Sequence, residues 1–249
     1  MSNEAHIKSL LAGLTHQLKG SFGASASLAQ MLKETYVDKL DDTALKWLDM
    51  ISTEYDTSKR KLFGISSLAC LYDYHVQTSP CSLSEIVKKA LLESKRILNS
   101  EEFGNVQLVS DIQCSTHNLM TIVTSNELIT QYINELFLNS ATHAVPIQSA
   151  LNDAENTPLI IKSEFRYLDT GNSHLLLYAD NGHLLTTKDI EYIQIPFNTL
   201  KRSRSVAQSA GLGLSKLAQI AEVLDATLTF SIGTNEYTGL QLSLEIPKV

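Results

Sequence analysis

The opening seventy residues constrain the fold most. Apolar side chains recur there at helical spacing, at Ile7, Leu11, Leu14, Leu18, Phe22, Leu28 and Leu32, in the three- and four-residue steps of one helix face. Gly20 and Gly23 weaken the middle of this run. The polar stretch from Glu34 to Asp42 reads as a turn, with Asp41 or Asp42 available to cap a second helix. That helix shows the same periodicity at Leu45, Leu48, Ile51, Tyr55, Leu62, Ile65 and Leu68. Such spacing suits helices packed at a shallow angle, as in four-helix bundles. Two antiparallel helices of this kind carry more apolar stripe than they can hide from each other. A second copy of the chain is therefore expected to complete the bundle.

The segment Gln77-Thr78-Ser79-Pro80 breaks the pattern and marks a domain boundary, giving an expected helical hairpin at residues 1–78 and a mixed domain at 79–249. Leu83 to Leu98 reads as a helix, capped by Ser82 or Ser84. Val106 to Ile112 alternates like a strand, and Ser125 to Ala144 is strongly helical. Leu159 to Tyr167 and His174 to Ala179 read as paired strands joined by the turn Asp169-Thr170-Gly171-Asn172. A loop is expected from His183 to Ala210. Leu212 to Leu224 then reads as a helix, with Ala226 to Ile232 and Leu240 to Ile246 as closing strands. The expected class is α+β.

At 43% hydrophobic and 19% charged residues the chain can bury a core. A net charge of −7 excludes a general nucleic-acid binder, which needs a basic face. Cys70, Cys81 and Cys114 are odd in number and lack CxxC spacing, which fits reduced thiols in a cytoplasmic protein and neither a disulfide framework nor a zinc site. No stretch approaches the roughly 18 apolar residues that cross a membrane, and the N-terminus lacks a signal-peptide pattern. A cytoplasmic protein with no membrane insertion is the expectation.

Four segments carry chemistry. His16, in Leu14-Thr15-His16-Gln17-Leu18-Lys19, lies one step off the apolar stripe. A neutral imidazole is a good nucleophile near pH 7 and can carry a phosphoryl group, although a lone helical histidine is more often a structural one. Gln17 beside it can hydrogen-bond but cannot serve as a general base. Glu135, Asn139 and His143 recur every four residues and so share one helix face, supplying the hard oxygen ligands that suit Mg²⁺ together with phosphates; a solvated polar stripe gives the same pattern. In Tyr178-Ala179-Asp180-Asn181-Gly182 an apolar strand ends in an acidic group, and Gly182 permits the turn. Asp180 can accept from an exocyclic amine there, while Asp-Asn-Gly is also a common turn. Finally, Gly211-Leu212-Gly213 stands directly before a helix, where backbone N–H groups can approach a phosphate. Lys201, Arg202 and Arg204 precede it in a loop that is either solvated or meets phosphates.

The order of these segments resembles that of the two-component histidine kinases. His16 matches the phospho-accepting histidine, and Asn139 matches the Mg²⁺-chelating asparagine of the N box. Glu135 matches the polar residue one turn earlier. Asp180 and Gly182 match the G1 residues that hold adenine, and Gly211 and Gly213 match the G2 glycines beside the triphosphate. Phe197 falls where the family often carries an aromatic before its lid. The resemblance spans nearly the whole chain and implies a dimerising hairpin followed by a Bergerat-type ATPase sandwich, with helices over one face of a mixed, mostly antiparallel sheet. It implies ATP and Mg²⁺ as cofactors. By it His16, Gln17 and Glu135 are assigned to catalysis. The nucleotide falls to Asn139, His143, Asp180, Gly182, Lys201, Arg202, Arg204, Gly211, Leu212 and Gly213.

Three positions depart from the family pattern. Gln17 stands where an acidic residue is usual, Ser21 replaces a frequent proline, and Leu184 replaces a further G1 glycine. The implied activity is autophosphorylation of His16 and transfer to an aspartate on a separate response-regulator receiver. A phosphotransfer shuttle that relays phosphate between receivers without using ATP is the alternative that Gln17 and Leu184 favour, and a non-catalytic dimeric adaptor is a third. Only six residues precede Ile7, so a sensory input is expected from a separate regulatory protein.

Overall fold

The structure, a computed structural model, describes residues 3–71, 74–98, 106–114, 121–143, 159–182, 185–198, 200 and 211–248. Two compact units divide the chain between Tyr74 and His75, with Leu212 counted in the first and Gly213 in the second.

The first unit is a hairpin of two long helices. Helix α1 spans Asn3–Tyr36, past the expected end at Lys33, and helix α2 spans Asp42–Leu71. A single 3₁₀ turn, Val37–Lys39, joins them. Asp41 is the residue that caps α2: its carboxylate accepts the backbone N–H of Ala44 at 2.7 Å, satisfying one of the donors that a helix start leaves open. Helix α1 runs unbroken through Gly20 and Gly23. A mid-helix glycine costs only about 1 kcal/mol, which packing against a neighbour can offset. A side chain at Gly23 would lie 3.4 Å from the Tyr55 hydroxyl, so the glycine sets how closely α2 approaches. Lys33 pairs with Asp49 across the hairpin. Much of the apolar stripe stays uncovered: Trp47 and Met50 are each 63% exposed and Phe63 76%. Phe22, Ala26, Trp47, Met50, Ile51 and Tyr55 line an open apolar recess between the two helices.

In the second unit the elements run β1 (Ser79–Ser82), α3 (Leu83–Leu98), β2 (Val106–Cys114), β3 (Thr121–Thr124), α4 (Asn126–His143), β4 (Leu159–Asp169), β5 (Ser173–Asp180), α5 (Thr187–Gln194), α6 (Gly213–Val223), β6 (Thr227–Ile232) and β7 (Leu240–Pro247). Five strands form one sheet in the order β2-β4-β5-β7-β6, while β1 and β3 make a separate antiparallel ribbon. Within the large sheet only the β2–β4 pair is parallel. The sheet is thus mixed and mostly antiparallel, as expected.

Alternation in the strands decides which face is covered. Cross-strand registers align Phe165, Tyr178, Leu242 and Phe230 in one row and Tyr167, Leu176, Leu244 and Leu228 in the next. Helix α4 lies against this face, with α3 and α6 packed on either side of it. Its side chains Leu128, Ile129, Tyr132, Ile133, Leu136 and Phe137 are almost entirely buried. The opposite face carries Lys162, Arg166, Ser243 and Glu245, so the described helices cover one side of the sheet.

Three elements depart from the sequence expectation. The short strands β1 and β3 give no periodic signal, and Pro80 argues against a strand; a two-stranded ribbon tolerates it because one edge needs no donor. Helix α5 falls inside the expected loop. It is started by a capping box, in which Thr186 Oγ1 accepts the Asp189 N–H at 3.2 Å and Asp189 accepts the Thr186 N–H at 2.8 Å.

At the far end of the β4–β5 hairpin, Gly171 has a φ of +88°, which the tight turn requires. Next to this turn His174 is buried and its Nδ1 lies 3.0 Å from the Tyr167 hydroxyl. Burial, reinforced by the Lys248 charge and opposed by Asp169, holds the imidazole below its ordinary value. The fold therefore favours neutral His174, and that contribution is lost as pH falls through the ordinary histidine value near 6.5 towards the lowered one. The melting temperature of the wild type should fall more steeply between pH 7 and pH 5 than that of His174→Gln, as followed by circular dichroism. Parallel curves would refute this role.

Candidate functional site

Helix α4 carries Glu135, Asn139 and His143 at four-residue steps. Its buried stripe, Ile133, Leu136, Phe137, Ser140 and Ala141, faces the core, which leaves those three half-buried along the helix flank. The first residue of α6 meets this flank directly. A side chain at Gly213 would lie 2.6 Å from Asn139 Oδ1 and 2.7 Å from Glu135 Oε1, so only glycine lets the helix start come this close. Lys216, in the first turn of α6, places Nζ 3.5 Å from Glu135 Oε2.

Asp180 ends β5 beneath α4 and is 8% exposed. Its Oδ2 accepts a hydrogen bond from the Ser140 hydroxyl at 2.6 Å, and its Oδ1 accepts the Gly182 N–H at 2.9 Å. The backbone N–H of Leu240 also donates to this carboxylate. A carboxylate has about four acceptor positions; the described residues take three of them, which leaves one among these residues for a further donor. Burial pushes the Asp180 carboxyl above its ordinary value, and the hydrogen bonds from Ser140, Gly182 and Leu240 pull it back. The surroundings leave little slack. Gly239 donates its N–H to the Asp180 carbonyl at 2.8 Å, and a side chain there would collide with the Asp180 carboxylate. Tyr178, two residues back on the same face, donates to Ser140 Oγ at 2.8 Å. Its ring meets Phe137 edge-on with centroids 5.3 Å apart.

Ser140 joins the two halves of this arrangement, because it follows Asn139 on α4 and bonds Asp180 on β5. Glu135, Asn139, Ser140, Asp180, Gly182 and Gly213 accordingly belong to one framework in the second unit. His143 lies one turn further along α4, as its last residue. Gly211 takes a left-handed φ of +65° directly before α6 and, with Leu212, is counted in the first unit. Lys201, Arg202, Arg204 and Leu184 lie outside the described residues. His16 and Gln17 sit midway along α1; of His16 only the backbone is described. Phe197 occupies a strained position: it has a φ of +70° in the turn closed by the Asn198 N–H to the Ile195 carbonyl at 3.2 Å, where glycine is the favoured residue.

Ser140, Tyr178, Lys216 and Gly239 are additional members that the motifs did not mark. Ser140 and Tyr178 do stand beside motif residues, but their pairing across α4 and β5 is a tertiary fact. Gly239 had no local signal, since its role is to make room for a carboxylate on another strand.

No protein-family model matches this sequence, and no curated protein is significantly similar to it. Solved structures do resemble the fold. The histidine kinase AdeS of Acinetobacter baumannii matches with a TM-score of 0.59 at 15% identity, over 93% of this chain and 97% of that one. Full-length ShkA in complex with AMPPNP matches with a TM-score of 0.61 at 16% identity, over 96% of this chain and 45% of that one. The catalytic domain of the histidine kinase ThkA matches with a TM-score of 0.50 at 17% identity, over 69% of this chain and 96% of that domain. The fold is that of the histidine kinases, and the chain spans rather less than half the length of ShkA. Among the described residues, no helix is long and apolar enough to cross a membrane. No group of three or more His, Cys, Asp or Glu side chains there is arranged to hold a metal ion unaided.

Gly239→Ala should destabilise the second unit by about 1–3 kcal/mol, the usual cost of overfilling a packed position. Urea unfolding followed by fluorescence measures this, and an unchanged midpoint would contradict the close approach of Gly239 to Asp180.

Proposed function

We propose that this chain is a histidine kinase that transfers the γ-phosphoryl group of Mg-ATP to His16 and then to an aspartate on a separate response-regulator receiver. One observation carries the reading: Asp180 is a buried carboxylate that the described residues leave with an acceptor position to offer, fixed through Ser140 to the helix that bears Glu135 and Asn139. A lone acceptor at the end of a strand suits the exocyclic amine of adenine. The fold is similar to that of ShkA, whose structure is a complex with AMPPNP, and this supports a nucleotide reading.

In this reading residues 1–78 form the dimerising phosphotransfer hairpin and residues 79–249 the ATP-binding domain. Asp180 and Gly182 hold the adenine, and Gly211, Leu212 and Gly213 bring backbone N–H groups at a helix start close to the phosphates. The Asn139 amide oxygen is the one protein ligand offered to the metal, which agrees with a site whose other ligands are phosphates and water. Mg²⁺, when bound, neutralises phosphate charge. Glu135, paired with Lys216 in the first turn of α6, is assigned to catalysis beside the phosphates, with His143 one turn along. Lys201, Arg202 and Arg204 are assigned to the phosphates as cations. His16 is the nucleophile: its imidazole nitrogen forms the N–P bond as the bond from the γ-phosphorus to the β,γ-bridging oxygen breaks. ADP leaves, and the ring gives up its proton. Gln17 orients the ring by a hydrogen bond. In this reading the protein acts in the cytoplasm.

Purified protein incubated with Mg²⁺ and γ-labelled ATP should acquire acid-labile label, and His16→Ala should acquire none. Asn139→Ala should lose Mg-ATP binding by at least tenfold, as the loss of a metal ligand implies. An unlabelled wild type that instead takes phosphate from a phosphorylated receiver would overturn the kinase in favour of a shuttle.

The uncovered stripe of the hairpin supports a homodimer, since monomers rarely leave such a patch open. The double substitution Trp47→Glu/Met50→Glu should dissociate it in sedimentation velocity, and a surviving dimer would place the interface elsewhere.

A further inference from the structure

Three buried polar groups form a chain from β5 to α4 and back. The Tyr178 hydroxyl donates to Ser140 Oγ at 2.8 Å, and Ser140 donates to Asp180 Oδ2 at 2.6 Å. Tyr178 and Ser140 are each 2% exposed and Asp180 8%. The direction of this relay has a chemical consequence. Ser140 has one proton; while the phenol proton points at its oxygen, that one proton is left for Asp180. Burial keeps the phenol protonated far beyond neutral pH, so Tyr178 remains a donor. Its ring is clamped by Phe137. A proton on Asp180 Oδ2 would instead require the whole relay to reverse.

We propose that Ser140 and Tyr178 are positioning residues that hold Asp180 as a pure hydrogen-bond acceptor and so make the site prefer purine nucleotides with a 6-amino group over those with a 6-oxo group. The inference rests on the nucleotide reading given above and extends it to two residues outside the motifs. The acceptor position that remains on Asp180 accommodates an exocyclic N–H. A 6-oxo purine sets an oxygen against the carboxylate, two acceptors face to face. Loss of the Ser140 hydroxyl acts on both sides of this choice. It frees the carboxylate to turn away from the amine, and it eases access to the acid form, whose O–H suits a carbonyl. Discrimination between the two purines then narrows.

The test titrates the full chain with ATP and with ITP by calorimetry, for the wild type, Ser140→Ala, Tyr178→Phe and the double variant. The wild type should prefer ATP. Ser140→Ala should reduce the ATP-to-ITP affinity ratio by about tenfold or more, the usual effect of a hydrogen bond to a charged group, and Tyr178→Phe should reduce it less. Ser140→Ala alone leaves a buried phenol without its acceptor. The double variant removes that phenol, so it should regain thermal stability while keeping the narrowed ratio. Equal weakening of both nucleotides, or a wild-type ratio in the folded double variant, would overturn the proposal and leave a purely structural role. A wild type that binds both nucleotides equally would overturn it too. If the wild type bound neither, the nucleotide reading itself would fall, and this inference with it.

Discussion

Burying a carboxylate costs several kcal/mol unless hydrogen bonds replace its water, and the second unit is organised around meeting that requirement at Asp180. The donors come from three places in the chain: Ser140 on α4, Gly182 in the loop after β5, and Leu240 at the start of β7. Each must be placed to within a few tenths of an ångström, and each is fixed by the packing of its own element. The fully buried stripe of α4 fixes Ser140. Gly239, which has no side chain to interfere, lets β7 come alongside. The polar centre and the apolar core are therefore one construction. Disturbing the seat of α4 on the sheet would shift Asn139 and Glu135 on its flank at the same moment as Ser140.

The two ends of α4 illustrate how a helix can separate tasks by angle. Residues at 133, 136, 137 and 140 turn inward, and those at 135, 139 and 143 turn to the flank. Helical periodicity assigns these faces without reference to function. What function adds is the glycine at the start of α6. Gly213 brings a helix start against two oxygen-bearing side chains, an approach that any larger residue would block.

Most of the architecture was readable from periodicity. The two hairpin helices, α3, α4 and α6, and the large-sheet strands all follow apolar patterns, whereas the one-sided covering of the sheet was implied by the family resemblance and not by periodicity. The missed elements are those whose stability is not local. Strands β1 and β3 exist because each completes the other, and Pro80 hides the first of them. Helix α5 carries its own start signal in Thr186 and Asp189, but too few apolar residues to announce a helix. At the site, motif residues could be listed in order, whereas the Tyr178–Ser140–Asp180 relay depends on a register between strand and helix that no spacing encodes. Lys216 sits at an ordinary helix position and gains its meaning only from Glu135 opposite.

The position of β7 bears on how the protein is made. It is the last of the described strands in sequence, yet it lies inside the sheet, paired with β5 on one side and β6 on the other. A ribosome adding about 5–20 residues per second therefore releases almost all of the second unit before the sheet can close. Until Leu240 emerges, β5 has an open edge, and Asp180 lacks both its Leu240 donor and the wall formed by Gly239. The hairpin has no such dependence, since α1 and α2 pair with each other early. Closure of this sheet must wait until β7 has been made, and until then the exposed edge of β5 is the surface a chaperone would need to shield.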